Sequence, residues 1–269
     1  SLLAVDEAHC ISQWGYDFRP PYLRIAALRE ELPDVPMLAL TASATLEVQK
    51  DICEKLEFQN HQIFRQSFER ANLSYSVFKV DSKINKIIEV LRKVNGTSIV
   101  YCKSRKRTKE LSELLQLQQI SSDYYHAVLV QEERSKRQEA WSNNKTRVIV
   151  CTNAFGMGID KPDVRTVIHA DVPDCLENYY QEAGGGGRDG KTAYAVLLYD
   201  DRDIHELEKL ADLRFPSLKD IRDVYQSIAN YLQIPVGSGE GEYYDFDISD
   251  FLKKFKLVGH TTLYSLKSL

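Results

Sequence analysis

Asp6 and Glu7 stand side by side at the end of a short apolar run, Leu2-Leu3-Ala4-Val5. His9 follows two residues after Glu7, and Trp14, Tyr16, Phe18 and Arg19 crowd the segment beyond it. Carboxylates at the carboxyl end of a parallel strand are where α/β enzymes hold nucleotide and Mg²⁺ and activate water. Aromatic rings beside such a pair add flat faces on which nucleobases stack. The chemistry suggested is phosphoanhydride hydrolysis coupled to a stackable ligand. An Asp-Glu pair on its own also fits a solvated turn, so its meaning depends on what the rest of the chain brings to it.

A second candidate looks stronger and is not. Gly185-Gly186-Gly187-Arg188-Asp189-Gly190-Lys191-Thr192 matches the phosphate loop G-x-x-x-x-G-K-[ST], and Gly185, Gly187 and Gly190 match G-x-G-x-x-G. Such loops work because a strand enters them and a helix leaves, turning the helix N-terminal N–H groups toward the anion. Here a helix-like stretch, 176–183, precedes the glycines and a strand-like one, 192–199, follows. The context is inverted, and the match is refused. No other phosphate loop occurs in the sequence.

The elements that must position these residues are readable from hydrophobic patterning. Short β-branched and apolar runs at 2–5, 37–41, 63–65, 75–79, 98–102, 123–126, 147–152, 166–170 and 193–199 predict strands. Helical patterns at 103–117, 132–141 and 175–183 fall between several of them. Alternation of this kind predicts an α/β fold with a parallel sheet covered on both faces. A break near Arg70-Ala71-Asn72 separates a short first portion from a fuller second one. Beyond Tyr199 the alternation stops. Helices are expected at 204–213 and 218–232, a loop at 235–241, then short helices at 249–255 and 261–269 around a Gly259 turn. That pair fits a helix-turn-helix or the opening of a winged helix, and equally a plain bundle.

A chain of 269 residues with 43% hydrophobic and 28% charged residues can bury a substantial core in two units and an appendage. No apolar run approaches the ~18 residues of a membrane span, and no signal-peptide pattern opens the chain. The five cysteines lack CxxC spacing, which argues against a disulfide framework or zinc knuckle and fits a reducing cytoplasmic, nucleoid-associated setting. A net charge of −4 argues against a general nucleic-acid coat, so any such site must be a local groove within an acidic body.

Six segments run in order from Ser1 to about Asp203: DEAHCISQWGYDFRP at 6–20, TASAT at 41–45, IVYCKSR at 99–105, YYHAVL at 124–129, TNAFGMGIDKPDVR at 152–165 and YYQEAGGGGRDG at 179–190. Together they give the chain a specific resemblance to the RecQ family of superfamily 2 DNA helicases. The first is similar to that family's motif II with its aromatic loop, the second to motif III, the third to motif IV, the fifth to motif V and the last to motif VI. The resemblance implies RecA-like parallel sheets: the C-terminal part of a first lobe over 1–70, a complete second lobe over 71–203, and a helical, helix-turn-helix-like or winged-helix-like extension over 204–269 without a zinc site. It implies a 3′–5′ DNA helicase of repair and recombination that uses ATP and Mg²⁺ and acts on single-stranded and partly duplex DNA. Relatives are classed as both hydrolase and isomerase.

The resemblance also implies roles. Asp6 would hold Mg²⁺ on the nucleotide and Glu7 would polarise the attacking water. Thr41, Ser43 and Thr45 would relay between lobes, and His9 would meet the Gln181 region when they close. Arg188 would be the arginine finger, and Gly158 and Asp160 would line the ATP site. Trp14, Phe18 and Arg19 would sense single-stranded DNA, while Ser104, His126 and Thr152 would hold its backbone. Several bland alternatives stay open: Trp14 and Phe18 as core aromatics, His126 as a satisfied strand-end histidine. The basic run Lys103, Arg105, Lys106, Arg107 and Lys109 is either a solvated helix face or a groove wall.

The sequence departs from the family pattern in places. The family's phosphate loop would precede Ser1, so this polypeptide alone is expected not to hydrolyse ATP and instead to act as a DNA-binding or regulatory module. Gly185 stands where relatives usually carry arginine and Gly186 where they carry alanine, which puts nucleotide coupling in doubt and raises the entropy cost of ordering the loop. Tyr16 and Val128 replace the more usual histidine and glycine. No cysteine follows Cys175, so the family's four-cysteine zinc site is not expected. A DEAH-type RNA helicase is the nearest rival, disfavoured by the motif V segment and the aromatic loop.

Overall fold

The computed structural model of the chain describes residues 1–12, 18–67, 69–156, 159–235, 238 and 241–268. They form two compact units, 1–199 and 200–269. The first unit begins with β1 (Leu3–Val5), a 3-10 turn at Ala8–Ile11, and a second such turn, Pro20–Ala27, running into α1 (Leu28–Glu31). β2 (Met37–Ala39) and α2 (Leu46–Lys55) follow. β1 and β2 pair in parallel, Val5 opposite Ala39, and the backbone N–H groups of Leu40 and Ala8 continue the ladder at 2.8 and 2.9 Å. Val5, Ala8 and Ile11 bury themselves against Val48, Ile52 and Leu56 of α2 and its end. Thr45 caps α2 through the Val48 N–H.

The larger sheet is built from β3 (Leu73–Lys79), β4 (Thr97–Tyr101), β5 (Ser122–Tyr125), β6 (Val148–Cys151), β7 (Val164–His169) and β8 (Ala193–Tyr199). Its order is β3-β8-β7-β4-β6-β5 with every neighbouring pair parallel. Parallel neighbours need crossovers. The helices α3 (Lys83–Lys93), α4 (Arg105–Leu117), α5 (Gln131–Ser142) and α6 (Leu176–Ala183) lie in those connections. Alternate residues feed two cores on opposite faces. Val100, Val150 and Ile168 pack with Ile87, Leu91 and Leu115, whereas Ile99, Ile149 and Val167 pack with Trp141 and Phe155. Every residue of β4 and β6 is buried, which is why these strands read as unbroken apolar runs.

The run at 63–65 is not a strand. Ile63 and Phe64 are exposed, 49% and 86%, and the segment has no ladder partner among the described residues, so it remains coil. The helices at Leu46–Lys55 and Lys83–Lys93 were not among the expected ones.

The second unit is helical among its described residues: α7 (Asp201–Arg214), α8 (Leu218–Leu232), α9 (Ile248–Phe255) and α10 (Gly259–Ser268). Ser217 and Asp220 form a reciprocal capping box at the start of α8. Phe251 is fully buried in an aromatic group with Tyr231, Phe246 and Phe255. The expected glycine turn before the last helix is corrected here. Lys256 takes the left-handed conformation that ends α9 (φ 53), and Gly259 is the first residue of α10. No helix among the described residues is long and apolar enough to cross a membrane.

A candidate nucleotide site between two sheets

Parallel pairing of β1 with β2 brings the acid pair and Thr41 to the same sheet end, with Thr41 lying 32 residues beyond His9 in sequence. Asp6 is exposed, and its Oδ1 accepts the Glu7 backbone N–H at 2.9 Å. Glu7 adopts a left-handed backbone, φ 49 and ψ 41. A non-glycine residue there carries strain that the surroundings must hold, as often found where a side chain is aimed for chemistry. His9, 2% exposed, supplies part of that hold: its Nδ1 lies 3.1 Å from Thr41 Oγ1 and 3.4 Å from Glu7 Oε2. Its Nε2 lies 3.7 Å from Cys10 Sγ.

From the larger sheet, α6 and the glycines after it face the acids. Gln181 donates from Nε2 to Glu7 Oε1 at 3.3 Å. Gln181 meets Glu7 itself, and His9, the partner expected for the Gln181 region, lies beside Thr41 and steadies Glu7. Glu7, Arg19, Tyr101, Gly156, Gln181 and Arg188 are among the residues lining one cavity of about 520 Å³. The acid pair's glutamate and the candidate finger therefore face a common space. Arg188 is paired with Asp160 at 3.2 Å, both exposed.

The Gly185–Thr192 pattern follows α6 and precedes β8, so the phosphate-loop match has helix before and strand after. Gly187 has φ 60, and a Cβ there would sit 2.6 Å from Asn72 Nδ2, so only glycine fits. Gly185 is not left-handed, and a Cβ would meet the Glu182 carbonyl at 3.3 Å.

Ser104, His126 and Thr152 each follow a strand, β4, β5 and β6, which are neighbours in the sheet. They thus share its carboxyl edge, where ligands of parallel sheets bind. Ser104 is exposed and caps α4 through the Arg107 N–H at 3.4 Å. His126 is half-buried, with an unpartnered Nδ1 and its ring near Tyr124. Burial, joined by Arg105 and Arg137, lowers its pKa. Thr152 is buried, its N–H bonded to the Tyr125 carbonyl. Phe18 is half-buried and Arg19 exposed, its N–H donating to the Cys10 carbonyl. Trp14 and Gly158 lie outside the described residues, as do Gly15, Tyr16 and Asp17.

The basic run divides. Lys106 and Lys109 reach Glu110 and Glu113 on the helix face, and Lys103 pairs with Asp174. Arg107 instead bonds the buried Asp171 at 2.6 Å, joined by the Lys103 backbone N–H and, at 3.7 Å, by Lys83. Asp171 was missed; its signal was an acid shortly after an apolar strand, the pattern that identified Asp6. Burial, then Asp171, pushes the neighbouring Cys102 thiol up to about 12.

Residues 82–190 match the family described as Helicase conserved C-terminal domain. The chain is 45% identical over 213 residues to ATP-dependent helicase SGS1 of Saccharomyces cerevisiae, covering 77% of this chain and 15% of that protein. It is 45% identical over 205 residues to ATP-dependent DNA helicase RecQ of Bacillus subtilis, covering 76% and 35%. S. cerevisiae Dbp5 bound to RNA and ADP BeF3 shares the fold, with TM-score 0.60 at 19% identity over 79% of this chain and 57% of that one. The chain spans well under half the length of either curated relative.

Proposed function

We infer that this chain, a RecQ-family homologue carrying the conserved C-terminal helicase domain, is the coupling part of an ATP-dependent DNA helicase. In this reading ATP is hydrolysed in the cavity between the two sheets, and the cycle moves single-stranded DNA 3′ to 5′ and unwinds duplex for repair and recombination. A DNA substrate and five free cysteines suit a cytoplasmic, nucleoid-associated setting. One observation carries the proposal: Glu7 of one sheet and Gln181 and Arg188 of the other line the same cavity, with Gln181 on Glu7 at 3.3 Å.

The residues divide the chemistry as follows. Glu7 accepts a proton from the attacking water. His9 and Gln181 fix the two carboxylate oxygens, so Glu7 presents a set direction. Arg188 stabilises charge on the transferring phosphoryl group, a role worth about 10³–10⁵ in rate. Its exposed pair with Asp160 contributes at most about 1 kcal/mol, so exchange of that carboxylate for a phosphate oxygen is easy. Asp6 fits Mg²⁺: it is exposed at a strand end, and this ion takes one or two carboxylates and completes its shell with phosphate and water. Bound there, the ion would neutralise phosphate charge. Ser104, at the mouth of α4, and His126 offer sequence-neutral contacts to a nucleic-acid backbone.

For residues 1–269 alone a second reading is favoured by the inverted Gly185–Thr192 context. Without a working phosphate loop they form a DNA-binding or regulatory module, and micromolar or tighter ATP binding by them would refute this. For the full-length protein, duplexes with 3′ or 5′ single-stranded tails decide. Unwinding of the 3′-tailed duplex and stimulation of ATPase by DNA are expected. Preference for 5′ tails, or stimulation by RNA over DNA, would overturn the assignment.

A further inference from the structure

The loop that carries Arg188 is shaped from outside itself. Gly184-Gly185-Gly186-Gly187 has more chain entropy to lose than any other stretch of this sequence, and no side chains with which to hold a shape. Arg70 lies in the segment between α2 and β3, the covalent connection between the two sheets. Its guanidinium donates to the carbonyls of Gly186 at 2.9 Å, Gly187 at 3.0 Å and Gly184 at 3.4 Å. Asn72 adds Nδ2 bonds to the Gly187 carbonyl at 2.7 Å and the Lys191 carbonyl at 2.9 Å. These are carbonyls at and just past the carboxyl end of α6, where the helix leaves unpaired acceptors and negative potential. A forked cation is the side chain best suited to gather several of them.

On the other side of Arg188, Asp189 is held by Arg165 Nη2 at 2.5 Å, and Arg165 also donates to the Thr192 carbonyl at 3.0 Å. Arg188 therefore projects from a backbone pinned one residue before and one residue after it. We propose that Arg70 is a positioning residue for Arg188, so that the segment joining the two sheets sets the aim of the phosphoryl-stabilising guanidinium. The proposal rests on Arg188 being the finger. Arg70 touches neither nucleotide nor reacting atoms in this scheme; it acts through the loop.

A double-mutant cycle in the full-length protein tests it. Arg70→Ala is expected to lower DNA-stimulated kcat for ATP by about 10- to 100-fold, the range for a misplaced catalytic group, with a smaller change in KM. Arg70→Lys keeps the charge but not the fork, so it is expected to recover less than half of the loss on a logarithmic scale. In an Arg188→Ala background, Arg70→Ala is expected to have no further effect on kcat. An equal factor in both backgrounds marks Arg70 as a fold staple only and overturns the proposal. Unchanged kcat in Arg70→Ala, with Arg188→Ala strongly impaired, overturns it while leaving the finger intact. If Arg188→Ala itself leaves kcat unchanged, the finger reading falls and the positioning role with it. Should Arg70→Ala not fold, the Arg70→Lys cycle is read by the same criteria.

Discussion

On one side of the cavity, Glu7 leaves a three-residue strand in a two-stranded sheet and turns through a left-handed backbone. Polar neighbours set its direction: Gln181, and His9, which Thr41 holds in turn. On the other side, Arg188 leaves a glycine loop that is tied by arginine and asparagine to a six-stranded sheet with a core on each face. The acid is aimed by a few hydrogen bonds near the chemistry, and the arginine by a rigid body further away. Changes near the acid should therefore register in rate before stability, and changes in the large sheet in stability before rate.

The largest expected effect comes from breaking the acid wall. In the full-length protein, Glu7→Gln should lower DNA-stimulated turnover by about 10²–10⁴, the usual worth of a positioned base, with nucleotide affinity retained in an equilibrium binding assay. A matching loss of affinity would make Glu7 a binding group and remove the contrast. The larger wall is broken differently. Trp141 is fully buried, with Nε1 on the Ser98 carbonyl at 3.1 Å, and Trp141→Ala should cost about 3–5 kcal/mol in denaturant unfolding. A cost under 1 kcal/mol would show that the large sheet is not a rigid support.

Gly185→Arg sharpens the comparison by adding a guanidinium to the cavity lining. A Cβ there meets the Glu182 carbonyl at 3.3 Å, so that carbonyl must give by a few tenths of an ångström. DNA-stimulated turnover of the full-length protein should rise several-fold; no change would count against a catalytic role for that position. The smallest effect concerns His126. Burial, with Arg105 and Arg137, holds its pKa below the ordinary 6.5. The folded state thus binds this proton less readily than the unfolded one. The stability carried by the neutral ring is fully present above 6.5 and is lost as pH falls from there through the lowered folded value. His126→Gln should flatten that small slope in a pH series of unfolding curves, and an unaltered slope would mean that the ring titrates as in the unfolded chain.

Much of the architecture was legible because parallel strands buried on both faces print apolar runs in the sequence. β8 was read to its exact limits, and β4, β6 and β7 to within a residue or two. The run at 63–65 shows the weakness of that signal: two adjacent apolar residues, Ile63 and Phe64, form a strand only if another strand lies alongside. Gly259 and Lys256 show the same for turns. Glycine favours a left-handed position, yet lysine takes it at the end of α9.

For the candidate site, local sequence determined the types of chemistry available. It supplied the adjacent acids of Asp6 and Glu7, the arginine of the glycine loop, and the helix-to-strand order that disqualifies Gly185–Thr192 as a phosphate loop. Tertiary structure decided which groups meet. Gln181 reaches Glu7 across 174 residues, Arg70 gathers the loop carbonyls across more than 110, and Arg107 leaves its helix face for Asp171. Such contacts depend on strand order, β3-β8-β7-β4-β6-β5, which hydrophobic periodicity does not encode. Periodicity reports which face of an element is buried; only packing of the whole chain fixes what lies against it.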